Sequence, residues 1–158
     1  MKVGREMAQK IIIGADHGGF ILKERIKQFL ESKKYQVTDV GCTGNEAVDY
    51  PAYGRMVAEK IQQEQGSLGL LICGTGIGMS IVANKYQGVR AAVVNDVFSA
   101  KATKEHNNSN ILCLGQRVIG EGLALMIVET WLKAEFIGGK HQQRLNQLTE
   151  IEKQELRK

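Results

Sequence analysis

The chain has 158 residues, 43% hydrophobic and 24% charged, the balance of a soluble globular protein with one proper core and no second domain. Its formal charge of +4 is too modest for nucleic-acid binding, because the basic residues are interleaved with acids, but it suits a small anionic substrate. No apolar run approaches membrane-spanning length, the start "MKVGREMAQK" has no signal-peptide apolar segment, and Cys42, Cys73 and Cys113 match neither a disulfide framework nor zinc spacing; a cytoplasmic protein with reduced thiols and no metal is expected.

The chain opens with a short extension, residues 1–9, before "KIIIGADHGG", a buried strand over Ile11 to Ile13 that ends in a turn. In "FILKERIKQFLESK", Phe20, Ile21, Leu22, Ile26, Phe29 and Leu30 make a helical stripe with charges opposite. "YQVTDVG" reads as a second strand, and "DYPAYGRMVAEKIQQEQG" as a helix with Pro51 at its start and Gly66 at its stop. "LGLLIC" is a third strand, with a helix following over about 76–86. "VRAAVV" is a fourth strand, "DVFSAKATKEHN" a helix capped by Asp96, and "NILCLG" a fifth strand. "GEGLALMIVETWLKAEF" is a helix broken by "GGK", and residues 141–158 form a terminal helix.

Strand and helix alternate five times, and strands two to five are short and nearly continuously apolar, as strands covered on both faces would be. The pattern predicts an α/β fold of Rossmann-like type: a three-layer αβα sandwich around a five-stranded parallel sheet, in a single domain spanning 1–158. The terminal helix has no strand to follow and is expected to extend to a neighbouring subunit. Ligands sit at the carboxyl ends of the strands in such sheets. That rule gathers "GADHGG", "ICGTGIG", the turn after "AAVV" and "CLGQRVIG" on one edge.

Cys73 ends a strand on that edge and enters a turn with glycine at 74, 76 and 78. It is either a small buried core residue or a reactive thiol. The turn "GTGIG" fits neither the Walker spacing nor the dinucleotide fingerprint; it is either a tight strand-to-helix turn or a cradle of amides for a phosphate or an oxyanion. Asp16 and His17 could hold a sugar hydroxyl and a phosphate, or form an Asx turn with an exposed histidine. His106 and Asn107, taken alone, read better as a helix C-terminal charge and cap than as functional groups. His141 and Arg144 share a helix face beside Lys140, either as an anion site or as a solvated surface. Arg117 could meet a phosphate or pair with an acid.

Taken together, "IIIGADHGGF", "DYPAY", "GLLICGTGIGMSIVANK", "GVRAAV", "EHNNSNILCLGQRVIG" and "GGKHQQR" closely resemble the ribose-5-phosphate isomerase B family, which includes the galactose-6-phosphate isomerase subunits. The resemblance covers nearly all of the chain beyond the first nine residues. It implies an aldose–ketose isomerase working through a cis-enediolate without metal or cofactor, in the non-oxidative pentose phosphate branch. By resemblance Cys73 is the base between C2 and C1, and Thr75 with the amides of Gly74, Gly76, Ile77 and Gly78 holds the enediolate oxygen. Another branch of the family carries an acid at the position of Met79, so this chain looks like the cysteine branch. His106 matches the residue that opens the furanose, aided by Asp16. Asn107 and Tyr50 match sugar contacts, and His17, Arg117 and Arg144 match phosphate contacts. Lys140 stands where the family often has arginine, keeping the charge without the bidentate fork. The family's partners are a sugar phosphate and further copies of the same chain, as homodimers or homotetramers with shared active sites.

Elementary chemistry agrees with that resemblance. Moving a proton between adjacent carbons needs a base and a holder for the oxyanion, and a thiol beside a turn of amides supplies both. An isomerase of six-carbon sugar phosphates, allose 6-phosphate or galactose 6-phosphate, is the close rival. The galactose system divides its motifs between two chains, whereas this one holds them all, which favours a homo-oligomer. A non-catalytic sugar-phosphate sensor on the same fold is the rival of a different class.

Overall fold

The computed structural model describes residues 8–155. The proposed extension lies mostly outside the described residues, as do the last three positions of the terminal helix. The elements run β1 (Lys10–Ala15), a 3-10 turn (His17–Gly19), α1 (Phe20–Ser32), β2 (Gln36–Asp39), α2 (Tyr50–Gln63), β3 (Leu68–Cys73), α3 (Ile77–Ala83), β4 (Ala91–Val93), α4 (Val97–Asn107), β5 (Ile111–Gly115), α5 (Glu121–Lys133) and α6 (Lys140–Glu155). The five strands form one sheet in the order β2-β1-β3-β5-β4, and every pairing is parallel.

The period of two along the strands builds two cores. Ile11, Ile13, Leu70, Ile72, Leu112 and Leu114 face α1, α4 and α5, meeting Leu22, Ile26, Leu30, Ala100 and Trp131. Ile12, Leu71, Cys73, Ile111 and Cys113 face the other way, onto Val57 and Ile61 of α2 and Met79 and Ala83 of α3. The helices bury stripes of matching period: Leu22, Ile26 and Leu30 in α1, and Ala124, Ile127, Val128 and Trp131 in α5. The sequence reading of strands two to five as covered on both faces needs correcting. β3 and β5 are covered, and so is β1, but β2 and β4 are half-buried edge strands. Each edge has only one neighbouring strand.

A cluster of charged side chains lies inside this frame. Lys23 of α1 is only 2% exposed, and its Nζ meets Asp39 Oδ2 at the end of β2 at 2.6 Å. Glu24 and Lys27 complete the group at 2.8 and 3.3 Å from its charges. Burial works against a charged lysine, but the bonds to Asp39 and Glu24 outweigh it and raise Lys23 above its ordinary pKa. Burial likewise opposes the Asp39 carboxylate, and Lys23, the Gly41 amide and Lys27 overcome it and hold Asp39 low.

α6 follows the Gly138–Gly139 turn and rests on its own chain. Leu145 is buried, the Ile137 amide donates to the Glu105 carbonyl at 3.1 Å, and the Gly88 amide donates to the Glu152 carboxylate at 2.9 and 3.1 Å.

Candidate active site

The carboxyl edge of the sheet gathers one group of the expected residues. β1 delivers Asp16 and His17, β3 delivers Cys73, and β5 delivers Arg117. The 3-10 turn crosses the end of β3 so tightly that a Cβ at Gly19 would lie 2.3 Å from the Ile72 carbonyl oxygen. The loop after β5 is tied to the cysteine turn by backbone bonds, Gln116 N to Cys73 O at 2.9 Å and Arg117 N to Gly74 O at 3.0 Å. The Gln116 side chain accepts from the Leu22 amide at 2.9 Å, fixing α1 to the same loop. The Arg117 side chain lies over Gly74, and the Tyr50 ring lies against Gly78, where an added Cβ would come within 2.8 Å of it.

Cys73 Sγ accepts a hydrogen bond from the Gly76 amide at 3.0 Å. Gly76 reaches that position with φ +80, a conformation that favours glycine, and a Cβ there would press on the Leu114 backbone at 3.1 Å. The Ile77 amide donates to Thr75 Oγ1 at 3.2 Å. Two amides that the resemblance assigns to the enediolate are therefore already engaged, one on the sulfur and one on Thr75. Thr75 Oγ1 keeps its own hydrogen to donate.

Asp16 is buried, and its Oδ1 has no hydrogen-bond partner among the described residues. A buried carboxylate oxygen without a partner is costly unless a ligand uses it. His17 Nδ1 accepts from the Val48 amide at 3.2 Å, so a neutral ring carries its proton on Nε2, a donor for an anion. The other thiols differ from Cys73. Burial, and then the neighbouring Cys73, push the Cys113 thiol well above its usual range. Cys42 Sγ lies 3.4 Å from the Gly44 carbonyl. At the turn after β4, Asp96 caps α4 through the Ser99 amide at 2.7 Å, as its position in the sequence suggests.

The second group lies elsewhere. α4 runs back from the carboxyl edge, so His106 and Asn107 sit where β5 begins. β5 then climbs from Ile111 to Gly115, which pairs with Cys73, a rise of roughly 13 Å at about 3.3 Å per residue. The rings of His106 and His141 stack at 4.4 Å between centroids and 6° between planes. Lys140 and Arg144 are exposed on the same helix start. Asn107 borders a groove of about 410 Å³ between α4, α6 and the start of β4. One chain thus carries both groups without bringing Cys73 and His106 together. Gln116, the Val48 amide and the histidine stack escaped the sequence reading. Only Gln116 left a trace, inside "CLGQRVIG".

Among the described residues no group of three or more His, Cys, Asp or Glu side chains is placed to hold a metal, and no helix is long and apolar enough to cross a membrane.

The ribose/galactose isomerase family matches residues 11–148. The chain belongs to that family. Ribose-5-phosphate isomerase B of Escherichia coli is 46% identical over 144 residues, 91% of this chain and 97% of that protein. The solved ribose-5-phosphate isomerase B of Clostridium thermocellum is 53% identical, with a TM-score of 0.91 over 92% of this chain and 99% of that one. The enzyme of the same name from Mycoplasma genitalium, solved with bound ribulose-5-phosphate, is 39% identical with a TM-score of 0.89 over 93% of this chain and 98% of that one. The family match spans both residue groups, and Met79 is a buried core side chain under the cysteine turn of this isomerase-family chain.

Proposed function

We propose that the protein interconverts ribose 5-phosphate and ribulose 5-phosphate, on sites that each combine the carboxyl edge of one copy with the His106 edge of another. The observation that carries this reading is Cys73, bonded to the Gly76 amide and set beside the unpartnered Asp16 carboxylate, His17 and Arg117. The relatives named ribose-5-phosphate isomerase B, and the one holding ribulose-5-phosphate, support the substrate.

His106 and Asp16 open the ring: a proton leaves the C1 hydroxyl, another reaches the ring oxygen, and the C1–O4 bond breaks. The Cys73 thiolate then takes the C2 proton. The C2–H electron pair becomes the C1–C2 double bond, and the carbonyl pair moves to O1. Thr75 and the remaining amides of the turn meet that oxyanion. The O2 proton passes to O1 and Cys73 returns its proton to C1, leaving the ketose. Tyr50 and Asn107 border the sugar, while His17, Arg117, Lys140 and Arg144 hold the phosphate, whose binding energy orients the reacting carbons. The turn's donors do the work for which another isomerase would use a cation, so exhaustive EDTA treatment should leave the rate unchanged.

The deciding experiment compares kcat/KM for ribose 5-phosphate, allose 6-phosphate and galactose 6-phosphate. Preference for the pentose supports the reading, and preference for a hexose replaces the substrate. Tight binding of all three without turnover would make the protein a sensor.

A further inference from the structure

We propose that His141 is a positioning residue for His106, holding the plane of the imidazole that opens the sugar ring. This rests on the ring-opening role given to His106 above. The rings are nearly parallel, 6° apart at 4.4 Å between centroids, at the close end of the range for stacked aromatic pairs. The His106 ring makes no hydrogen bond to any described residue, so the stack is the contact that orients it. A histidine ring otherwise turns freely about its last torsion, whose distribution is broad and two-fold. The same arrangement leaves both His106 nitrogens available for proton transfer.

The backbone places His141 there from two sides. Its amide donates to the Gly138 carbonyl, and the Ile137 amide donates to the carbonyl of Glu105, the residue before His106, both at 3.1 Å. The tail therefore enters α6 already fastened to the last turn of α4. Burial first, then the positive charges of His106, Lys140 and Arg144, hold the His141 imidazole below its usual pKa. A neutral ring can stack on His106 without opposing the charge His106 gains when it accepts a proton. Lys140 and Arg144 are exposed beside it and supply cations for phosphate. His141 is half-buried and faces a ring instead.

The test uses the full chain and two substrates. Ribose 5-phosphate must be opened; an aldotetrose 4-phosphate cannot form a furanose, because its C4 oxygen is phosphorylated. In His141→Ala, kcat on ribose 5-phosphate should fall by about tenfold, the scale of a misplaced catalytic group. KM should stay within about twofold, as should kcat on the tetrose 4-phosphate, which also reports that the site has assembled. His141→Phe keeps a planar ring without titrating and should recover most of the lost kcat. A rise in KM for both substrates at unchanged kcat would make His141 a phosphate ligand and overturn the proposal. So would a Phe variant as poor as the Ala variant on ribose 5-phosphate. His106→Asn separates the two ideas. If it is crippled on ribose 5-phosphate while His141→Ala is not, the positioning role alone fails. If His106→Asn is itself unimpaired, the ring-opening reading fails and the positioning role goes with it.

Discussion

Three thiols in one chain invite the question of which one could react, and their surroundings differ. Cys113 is fully buried in β5, with its thiol pushed up by burial, so Cys113→Ala should stay active and lose only stability. Cys73 receives an amide donor at the ligand edge. Cys73→Ala should lower kcat by roughly 10²–10⁴, the range for losing a positioned base, while sugar-phosphate affinity measured by calorimetry survives. Serine at this position should fail as well, since its hydroxyl is a far weaker base. Near-normal turnover by Cys73→Ala would remove the thiol from the mechanism. Gly76→Ala tests the turn itself. It forces φ +80 on an alanine and a Cβ against Leu114, so unfolding should cost about 1–3 kcal/mol less free energy, read as a lower denaturant midpoint. The position of Cys73 at a strand end was legible because an apolar run stops there and glycines begin. The unpartnered Oδ1 of Asp16 was not, since orphaned oxygens depend on the packing of distant segments.

At the level of elements the alternation of apolar strand and amphipathic helix made the five strands and six α-helices of the described residues readable, because burial imposes its period directly on sequence. The edge strands were harder: "QVTD" and "AAV" carry no mark of having a single neighbour. Nor does Lys23, which reads as part of a solvated face and yet lies fully buried on Asp39. This contact fastens α1 to an edge strand that little else covers, and removing one partner from a buried pair costs about 3–5 kcal/mol. Lys23→Ala should fall at the lower end, because Lys27 and the Gly41 amide still serve Asp39. The pH dependence has a definite sign. Asp39 is held low, so its contribution is present above the pKa of a free aspartate, about 3.9, and is lost as pH falls through the folded value. Lys23 is raised, so its contribution is whole below the pKa of a free lysine, about 10.4, and is lost as pH rises through the folded value. Urea midpoints of the wild type and Lys23→Ala should therefore differ most in the neutral range and converge toward both extremes. A gap that stays constant down to strong acid would show that packing, rather than charge, carries the contact.

For the whole molecule, the two groups of candidate residues lie at opposite ends of the strands. Cys73, Asp16 and His17 open at the carboxyl ends of the strands, while His106, Asn107 and Arg144 stand where β5 begins. The two-fold pairing proposed above would set one edge against the other and complete two sites at once. The sequence named the members of both groups, but their separation depends on the direction in which α4 runs, which no local pattern records. The separation also guides the choice of variants. Cutting the chain after Gly139 would strip Leu145 from its seat and Glu152 from the Gly88 amide, confusing loss of a site with loss of a fold, so point substitutions are preferable. Cys73→Ala and His106→Asn chains should each be inactive on ribose 5-phosphate. Unfolded, mixed in equal amounts and refolded, they should pair at random. About half the dimers would then be hybrids with one complete site of two, restoring about a quarter of wild-type activity. The recovered activity should rise and fall with the hybrid fraction as the mixing ratio changes. If each site were built within one chain, no mixture would gain activity, and the pairing across copies would have to be abandoned.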